Sequence, residues 1–189
     1  MMKKKEIKLH LGCGPKIQEG WVNIDNNYDN NIDLKKLDIN MDLTEPLPFS
    51  DNYADKVFHE HFIEHLVKPE GEKFLKECYR VLKKGGVMRI GWPDIQKLMV
   101  AYVKRDRKYY DYIAPNAFWT KKDDSWDELI PDFFYSWDHR YGYTRKHMER
   151  VLKSIGFREI RKKNFNSSDY GFDIDSRDDP ATTYLEAVK

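Results

Sequence analysis

Cysteine is nearly absent from this chain of 189 residues, where Cys13 and Cys78 are the only two. They fall in different expected elements, so neither a disulfide framework nor a four-cysteine metal site can be built, and a reducing, cytoplasmic setting follows. A surplus of charge is missing as well. Lys and Arg number 33 against 32 for Asp and Glu, a formal net charge of +1. That balance gives no bulk positive field to meet phosphates and argues against nucleic acid as an obligatory partner. No apolar run approaches the roughly 18 residues a membrane-spanning helix needs. The basic stretch at Met1 to Lys5 leads into no apolar segment of the kind a signal peptide carries. No internal repeat is found, and the length suits one domain over residues 1–189. What the chain has in quantity is aromatic side chains, at 14% of all residues, crowded into one stretch.

Ile7, Leu9 and Leu11 alternate with Lys8 and His10, which is the spacing of a strand, and the strand runs into Gly12-Cys13-Gly14. Two glycines one residue apart permit a tight turn and the close approach of a ligand to the backbone. At the end of a first strand, this is where open α/β sheets bind nucleotide-like ligands. Pro15 follows the pair, and the third glycine of the dinucleotide fingerprint is missing. The gap to a second strand at Trp21 to Asp25 is too short for a full helix, so a loop or single turn is expected. A polar loop at 26–31, a third strand near Leu37 to Ile39 and a fourth over Ala54 to His59 come next.

Pro69 to Lys84 reads as the clearest helix, with Phe74, Leu75, Cys78, Val81 and Leu82 on one face and Gly85 as its stop. Val87 to Ile90 forms a fifth strand, and Asp94 caps a helix carrying Ile95, Leu98, Met99 and Tyr102. Periodicity fails between about Tyr109 and Tyr143, where Tyr109, Tyr110, Tyr112, Phe118, Trp119, Trp126, Phe133, Phe134, Tyr135 and Trp137 are scattered among charges and prolines. Thr144 opens a last helix that Gly156 ends. Phe157 to Ile160 and Thr183 to Val188 pair as an antiparallel hairpin across the Asn/Asp/Ser-rich segment from Asn164 to Pro180. The alternation predicts an α/β fold, a mostly parallel seven-stranded sheet with a C-terminal antiparallel hairpin and helices on both faces.

Several landmarks stand in a definite order: Leu11-Gly12-Cys13-Gly14, Asp25, Leu47-Pro48-Phe49 before Asp55-Lys56-Val57, Ile63-Glu64-His65-Leu66, Glu77 through Gly86, and Gly156-Phe157. Together they resemble the Rossmann-like class I S-adenosylmethionine-dependent methyltransferases of type 11, over almost the whole chain. Within these, the chain looks like the small predicted methyltransferases associated with cell-surface polysaccharide synthesis. Two departures stand out: His10, where many members are acidic or small, and the truncated first helix. The resemblance implies S-adenosyl-L-methionine as cofactor and S-adenosyl-L-homocysteine as product. It puts Gly12, Cys13 and Gly14 against the methionine moiety, Asp25 on the ribose hydroxyls, and Asp42 and Leu43 on adenine, with Asp38 as an alternative. His59 and Glu60 fall near the amino end or the sulfonium. No metal site is implied.

Methyl transfer is an in-line displacement on a good leaving group, so alignment within about 3–3.5 Å is the main requirement. An alcohol or ammonium acceptor must also lose a proton, for which histidine is suited near neutral pH. His61, His65 and His139 are the candidates. The aromatic insertion at about 108–143 reads as a lid that selects the substrate, most of its rings forming a small satellite core. Lys16, Arg140 and Arg145 could meet a phosphate or remain solvated. The acceptor is expected to be a small molecule accepting at O or N, such as a sugar, a nucleotide-sugar or a surface-glycan precursor, with oligomeric state left open. Two other readings stand beside this one. His61-Phe62-Ile63-Glu64-His65 fits the His-x-x-Glu-His pattern of zinc peptidases, if it lies on a helix. A regulatory module that binds S-adenosylmethionine without turnover is the other.

Overall fold

The computed structural model describes residues 5–26, 33–117 and 126–189. Most of the expected loop at 26–31, and Phe118 and Trp119 of the aromatic insertion, lie outside these residues. The strands are β1 (Lys8–Leu11), β2 (Val22–Asp25), β3 (Ile39–Asn40), β4 (Ala54–Glu60), β5 (Leu82–Pro93), β6 (Arg158–Lys163) and β7 (Thr182–Val188). The helices are α1 (Lys68–Val81), α2 (Ile95–Lys104), α3 (Arg107–Ile113), α4 (Leu129–Tyr135) and α5 (Arg145–Ile155). The seven strands lie in the order β3-β2-β1-β4-β5-β7-β6. Strands β1 to β5 pair in parallel, and β7 runs antiparallel to both of its neighbours. No helix among the described residues is long and apolar enough to cross a membrane.

Strand alternation divides the interior. Leu9, Leu11, Val57, Met88, Ile90 and Leu185 point to one face, where Phe74, Leu75 and Cys78 of α1 and Met148 and Leu152 of α5 complete the main core. The residues between them face the other way. There Phe58, Val87 and Trp21 are covered by Phe172 and Ile174 from the connection between β6 and β7, residues 164–181. This strap takes the middle of the face, since the chain between β1 and β2 forms only turns. Helices α2, α3 and α4 follow the C-terminal end of β5 and pack Leu98, Tyr109, Tyr110, Leu129 and Phe133 into a smaller core.

Two regions differ most from expectation. Helix α1 ends at Val81 rather than Lys84, because Leu82 is fully buried and already pairs with Ala54 on β4. The carbonyl of Arg80 accepts instead from the Asn52 backbone N–H at 3.0 Å and from Lys189 Nζ at 3.1 Å. In the aromatic insertion, α3 and α4 are helices that periodicity did not reveal, because aromatic and charged side chains occupy both the inner and outer faces. Asp106 starts α3 by accepting from the Tyr109 N–H at 3.3 Å.

The strap is held by Arg89 of β5, which is completely buried. Its Nε donates to Asp175 Oδ1 at 2.7 Å and its Nη2 to Asp175 Oδ2 and to the Asn164 carbonyl, the latter at 2.9 Å. Nη1 donates to Glu186 Oε1 at 3.0 Å and to the Ser167 carbonyl at 3.2 Å. All the N–H donors of a guanidinium are thereby used. Removing one partner of such a buried pair leaves charges without compensation. Arg89→Met is therefore expected to lower the unfolding free energy by about 3–5 kcal/mol in urea denaturation. A loss within the range of an exposed pair, about 1 kcal/mol or less, would show that the strap holds without it.

Candidate active site

The glycine turn is pinned to the neighbouring strand. The Gly12 and Cys13 N–H groups donate to the Ile24 carbonyl at 2.9 and 3.3 Å. Gly12 and Gly14 have φ of +63° and +52°, a region that disfavours residues with a Cβ. Their surroundings differ. A Cβ on Gly12 would lie 2.6 Å from the Phe62 ring, whereas one on Gly14 would meet nothing within 4 Å. Gly14 thus offers bare backbone to open space, and its N–H donates to Asp25 Oδ2 at 2.8 Å. Asp25 Oδ1 accepts from the Asn26 N–H at 2.8 Å, and the Asp25 carbonyl accepts from the Met41 N–H at 2.9 Å. This last bond brings Asp42 and Leu43 beside Asp25. Asp42 is exposed, its Oδ1 turned to the Thr44 N–H and hydroxyl at 2.8 and 2.9 Å, and Leu43 is buried in the main core. The alternative, Asp38, uses its carboxylate to hold Asn23, accepting from the backbone N–H at 2.7 Å and Nδ2 at 3.2 Å.

Cys13 is buried, and burial together with the Asp25 charge pushes its thiol up to about 12, which suits a space-filler and not a nucleophile. His10 points away from the turn. It packs on Phe58 with ring centroids 5.2 Å apart and contacts Asn23 Oδ1 at 3.3 Å, and burial lowers it to about 4. The departure at His10 therefore belongs to the strap side of the sheet.

At the end of β4, two expected ligand contacts have other surroundings. His59 is completely buried with its ring against the edge of Phe74, and neither nitrogen has a hydrogen-bond partner among the described residues. Burial lowers it to about 3. It presents no surface to a cofactor. The Glu60 carboxylate accepts from the Ser176 N–H at 3.0 Å and from the hydroxyls of Ser176 and Tyr184. The Ser176 hydroxyl also meets Lys16 Nζ. One strap residue therefore bridges the glycine turn and the end of β4, and Glu60 holds the strap in this arrangement.

Beyond β4 and β5 opens a cavity of about 360 Å³. Tyr109, Tyr112, Phe133 and Trp137 supply its aromatic wall, and His61, His139, Arg177 and Asp179 its polar groups. His61 follows β4 with φ of +51°, and Ile63–His65 form a single 3-10 turn. The His-x-x-Glu-His stretch therefore lacks the helix that a zinc-peptidase arrangement requires. His61 Nε2 lies 2.7 Å from Thr182 Oγ1, and that hydroxyl donates its proton to Asp179 Oδ2 at 3.0 Å. His61 must then donate through Nε2, which leaves Nδ1 as its basic atom. Burial, then the charge of Arg177, holds this imidazole well below its usual range, so it is neutral near pH 7.

Burial lowers the His139 imidazole to about 3, and its ring packs on Phe133 and Trp137 at centroid distances of 4.7 and 6.1 Å. His65 lies behind it at 5.1 Å. Glu64, which all three histidines approach, is pushed up to about 8 by burial. The structure thus gathers His61, His65 and His139 while keeping His59 out. Ser176, Arg177, Asp179 and Thr182 carry no local signal as site residues, because the first three lie in a segment that reads only as a polar hairpin loop and Thr182 lies just beyond it. Arg145 is committed to Glu149 at 2.5 Å, and Arg140 lies exposed near Asp138.

The methyltransferase domain family matches residues 22–90, from β2 into β5. A solved S-adenosylmethionine-dependent methyltransferase from Archaeoglobus fulgidus superposes with a TM-score of 0.64 at 19% identity, covering 99% of this chain and 87% of that one. The fold is that of a class I methyltransferase. A Thermotoga maritima methyltransferase, described as a possible histamine N-methyltransferase, is similar with a TM-score of 0.60 at 17% identity, covering 100% of this chain and 84% of that one. The phosphoethanolamine N-methyltransferase 2 of Haemonchus contortus, solved with phosphomonomethylethanolamine and S-adenosylhomocysteine, gives 0.57 at 14% identity over 100% of this chain and 50% of that one. No curated protein matches the sequence. At these identities the likeness of structures is one of fold. With the family match, it supports an enzyme, a methyltransferase, whose cofactor is S-adenosylmethionine.

At Gly14, the backbone leaves space in which an added Cβ has nothing within 4 Å, as the expected approach of a cofactor to this turn requires. Gly14→Ala has room in the folded chain and pays only for its positive φ, about 1–2 kcal/mol. Its added methyl would stand in the open space, so affinity for S-adenosylhomocysteine is expected to fall at least about tenfold while the fold persists. Thermal melting and calorimetric titration of the same variant check both parts, and unchanged affinity would remove the turn from the cofactor site.

Proposed function

We propose that this chain is an S-adenosylmethionine-dependent methyltransferase that methylates an oxygen or nitrogen of a small acceptor held in the aromatic cavity. The observation that carries the reading is the contact of Gly14 with Asp25 at the open ends of β1 and β2, 2.8 Å apart, on the same sheet edge as the cavity beyond β4 and β5. When bound, S-adenosylmethionine supplies the methyl group. In this reading Asp25 accepts from the ribose hydroxyls, Asp42 from the adenine amine, Leu43 packs beneath the ring, and the backbone of Gly12 to Gly14 borders the methionine moiety. The carboxylate fits a pair of adjacent hydroxyls because it offers two acceptor oxygens.

The acceptor's proton goes to Nδ1 of His61, whose Nε2–H is anchored on Thr182. His139 and Trp137 also line the cavity. The aromatic walls, with Arg177 among them, support an acceptor that combines a ring with an anionic group, as a nucleotide-sugar or surface-glycan precursor does.

Calorimetric titration of S-adenosylmethionine and S-adenosylhomocysteine tests the cofactor half. Micromolar binding is expected, reduced by about 100-fold in Asp25→Ala, as loss of two charge-assisted hydrogen bonds implies. Absence of binding to the unaltered chain at millimolar ligand would sink the reading. For the acceptor half, His61→Asn is expected to lower kcat by about 10²–10⁴ with cofactor affinity unchanged. A kcat within a few-fold of the unaltered chain would exclude His61 as the base.

A further inference from the structure

Glu64 is a buried side chain to which the proposed methyl transfer gives no role. It is 1% exposed, and neither carboxylate oxygen has a hydrogen-bond donor among the described residues. Such a group is costly to bury without a partner. Its neighbours are imidazole nitrogens: His61 Nδ1 at 3.5 Å, His139 Nε2 at 3.9 Å and His65 Nε2 at 4.0 Å, all measured to Oε1. Partners on the far side of two rings decide which atom faces Glu64. His61 donates through Nε2 to Thr182, as its hydrogen-bond chain requires. His65 Nδ1 lies 3.3 Å from the Asp138 carbonyl, which can only accept. In the neutral form, each of these two rings turns a lone pair toward the carboxylate. The Glu64 oxygen and the three imidazole nitrogens converge on one point, and a cation is what such a set of donor atoms attracts.

We propose that Glu64 Oε1, His65 Nε2 and His139 Nε2 form a binding site for a divalent first-row transition ion of the zinc type, with an open coordination position toward the cavity. The three ligand atoms lie within 4.8 Å of one another. A tetrahedral ion with bonds of about 2.0–2.1 Å needs them roughly 3.3 Å apart, so the ligands close inward by about 1 Å or less each. Two histidines and one carboxylate make a donor set found around zinc that keeps a free position for substrate or water. The bond from His65 Nδ1 to a backbone carbonyl is the support a ligating histidine needs to hold its ring and tautomer.

His139 supplies the opening, because its ring is both a ligand and part of the cavity wall. His61 Nδ1 stays beside the ion as a proton acceptor. The arrangement differs from a zinc peptidase: the glutamate is a ligand, the adjacent histidine comes from a 3-10 turn, and the third ligand comes from the segment before α5. An acceptor oxygen entering the cavity could complete the coordination. That role rests on the methyltransferase reading, whereas the ion site does not.

The test is titration of the metal-stripped chain with Zn²⁺ by calorimetry and with Co²⁺ by visible absorption. The unaltered chain, Glu64→Gln and His139→Asn are compared, with thermal melting to verify folding. One equivalent of ion is expected, with intense visible Co²⁺ bands of low coordination number, and affinity at least about tenfold lower in each variant. Failure of the unaltered chain to bind Co²⁺, or binding of equal strength by a folded Glu64→Gln, overturns the proposal. A cofactor titration run in parallel separates the two questions, since the ion can bind whether or not S-adenosylhomocysteine does.

Discussion

One buried guanidinium organises the half of the molecule that periodic secondary structure leaves open. Arg89 stands in the middle of β5, on the face without α1 and α5, and its donors reach Asp175, Glu186 and two carbonyls of the strap. Taking these charges out of water is expensive, and only complete pairing makes their burial tolerable. Complete pairing fixes where the strap must run. Asp175 is tied to β5, so Ser176 falls on Glu60 at the end of β4, and Arg177 and Asp179 reach the cavity. An apolar cluster would cover the sheet as well, but it would not set the position of the residues that follow.

The opposite face shows how this placement serves chemistry. There α1 and α5 bury ordinary aliphatic faces and hold β1 and β4 side by side. The glycine turn and Asp25 then occupy one end of the sheet edge and the histidine cavity the other. A displacement between two bound partners depends mainly on their alignment. A sheet whose parallel strands β1 to β5 all end on one edge supplies it. The aromatic rings of the insertion supply walls: Tyr110 sinks with Leu129 into the satellite core, and Tyr109, Tyr112 and Phe133 turn a surface to the cavity.

Burial gives the polar interior near β4 its character. His59 and His139 are held at about 3 and Glu64 at about 8, in each case mainly by loss of water. The uncharged forms are thereby favoured around the cavity, and the local geometry of lone pairs and hydroxyls decides what each ring can do. Thr182 illustrates this. By donating to Asp179 it dictates the tautomer of His61 two elements away.

By itself, the sequence determined the fold class and the strand-end turn proposed for the cofactor. Alternating apolar residues in β1, the amphipathic faces of α1 and α5, the caps Asp94 and Thr144 and the stop at Gly156 are local signals, each acting within a few residues. Gly12, Gly14 and Asp25 lie at ends of strands that were readable in the same way. The cavity was decided only in the tertiary structure. Its histidines come from β4's end and from the segment before α5, and its charges from the strap between β6 and β7. Nothing local distinguishes His59, sealed behind Phe74, from His61, open to the cavity two positions on. The strand's alternation ends between them, and His61 takes a left-handed conformation. Burial, tautomer and the convergence on Glu64 are properties of neighbours that meet across many tens of residues, and a linear pattern carries no record of who those neighbours are.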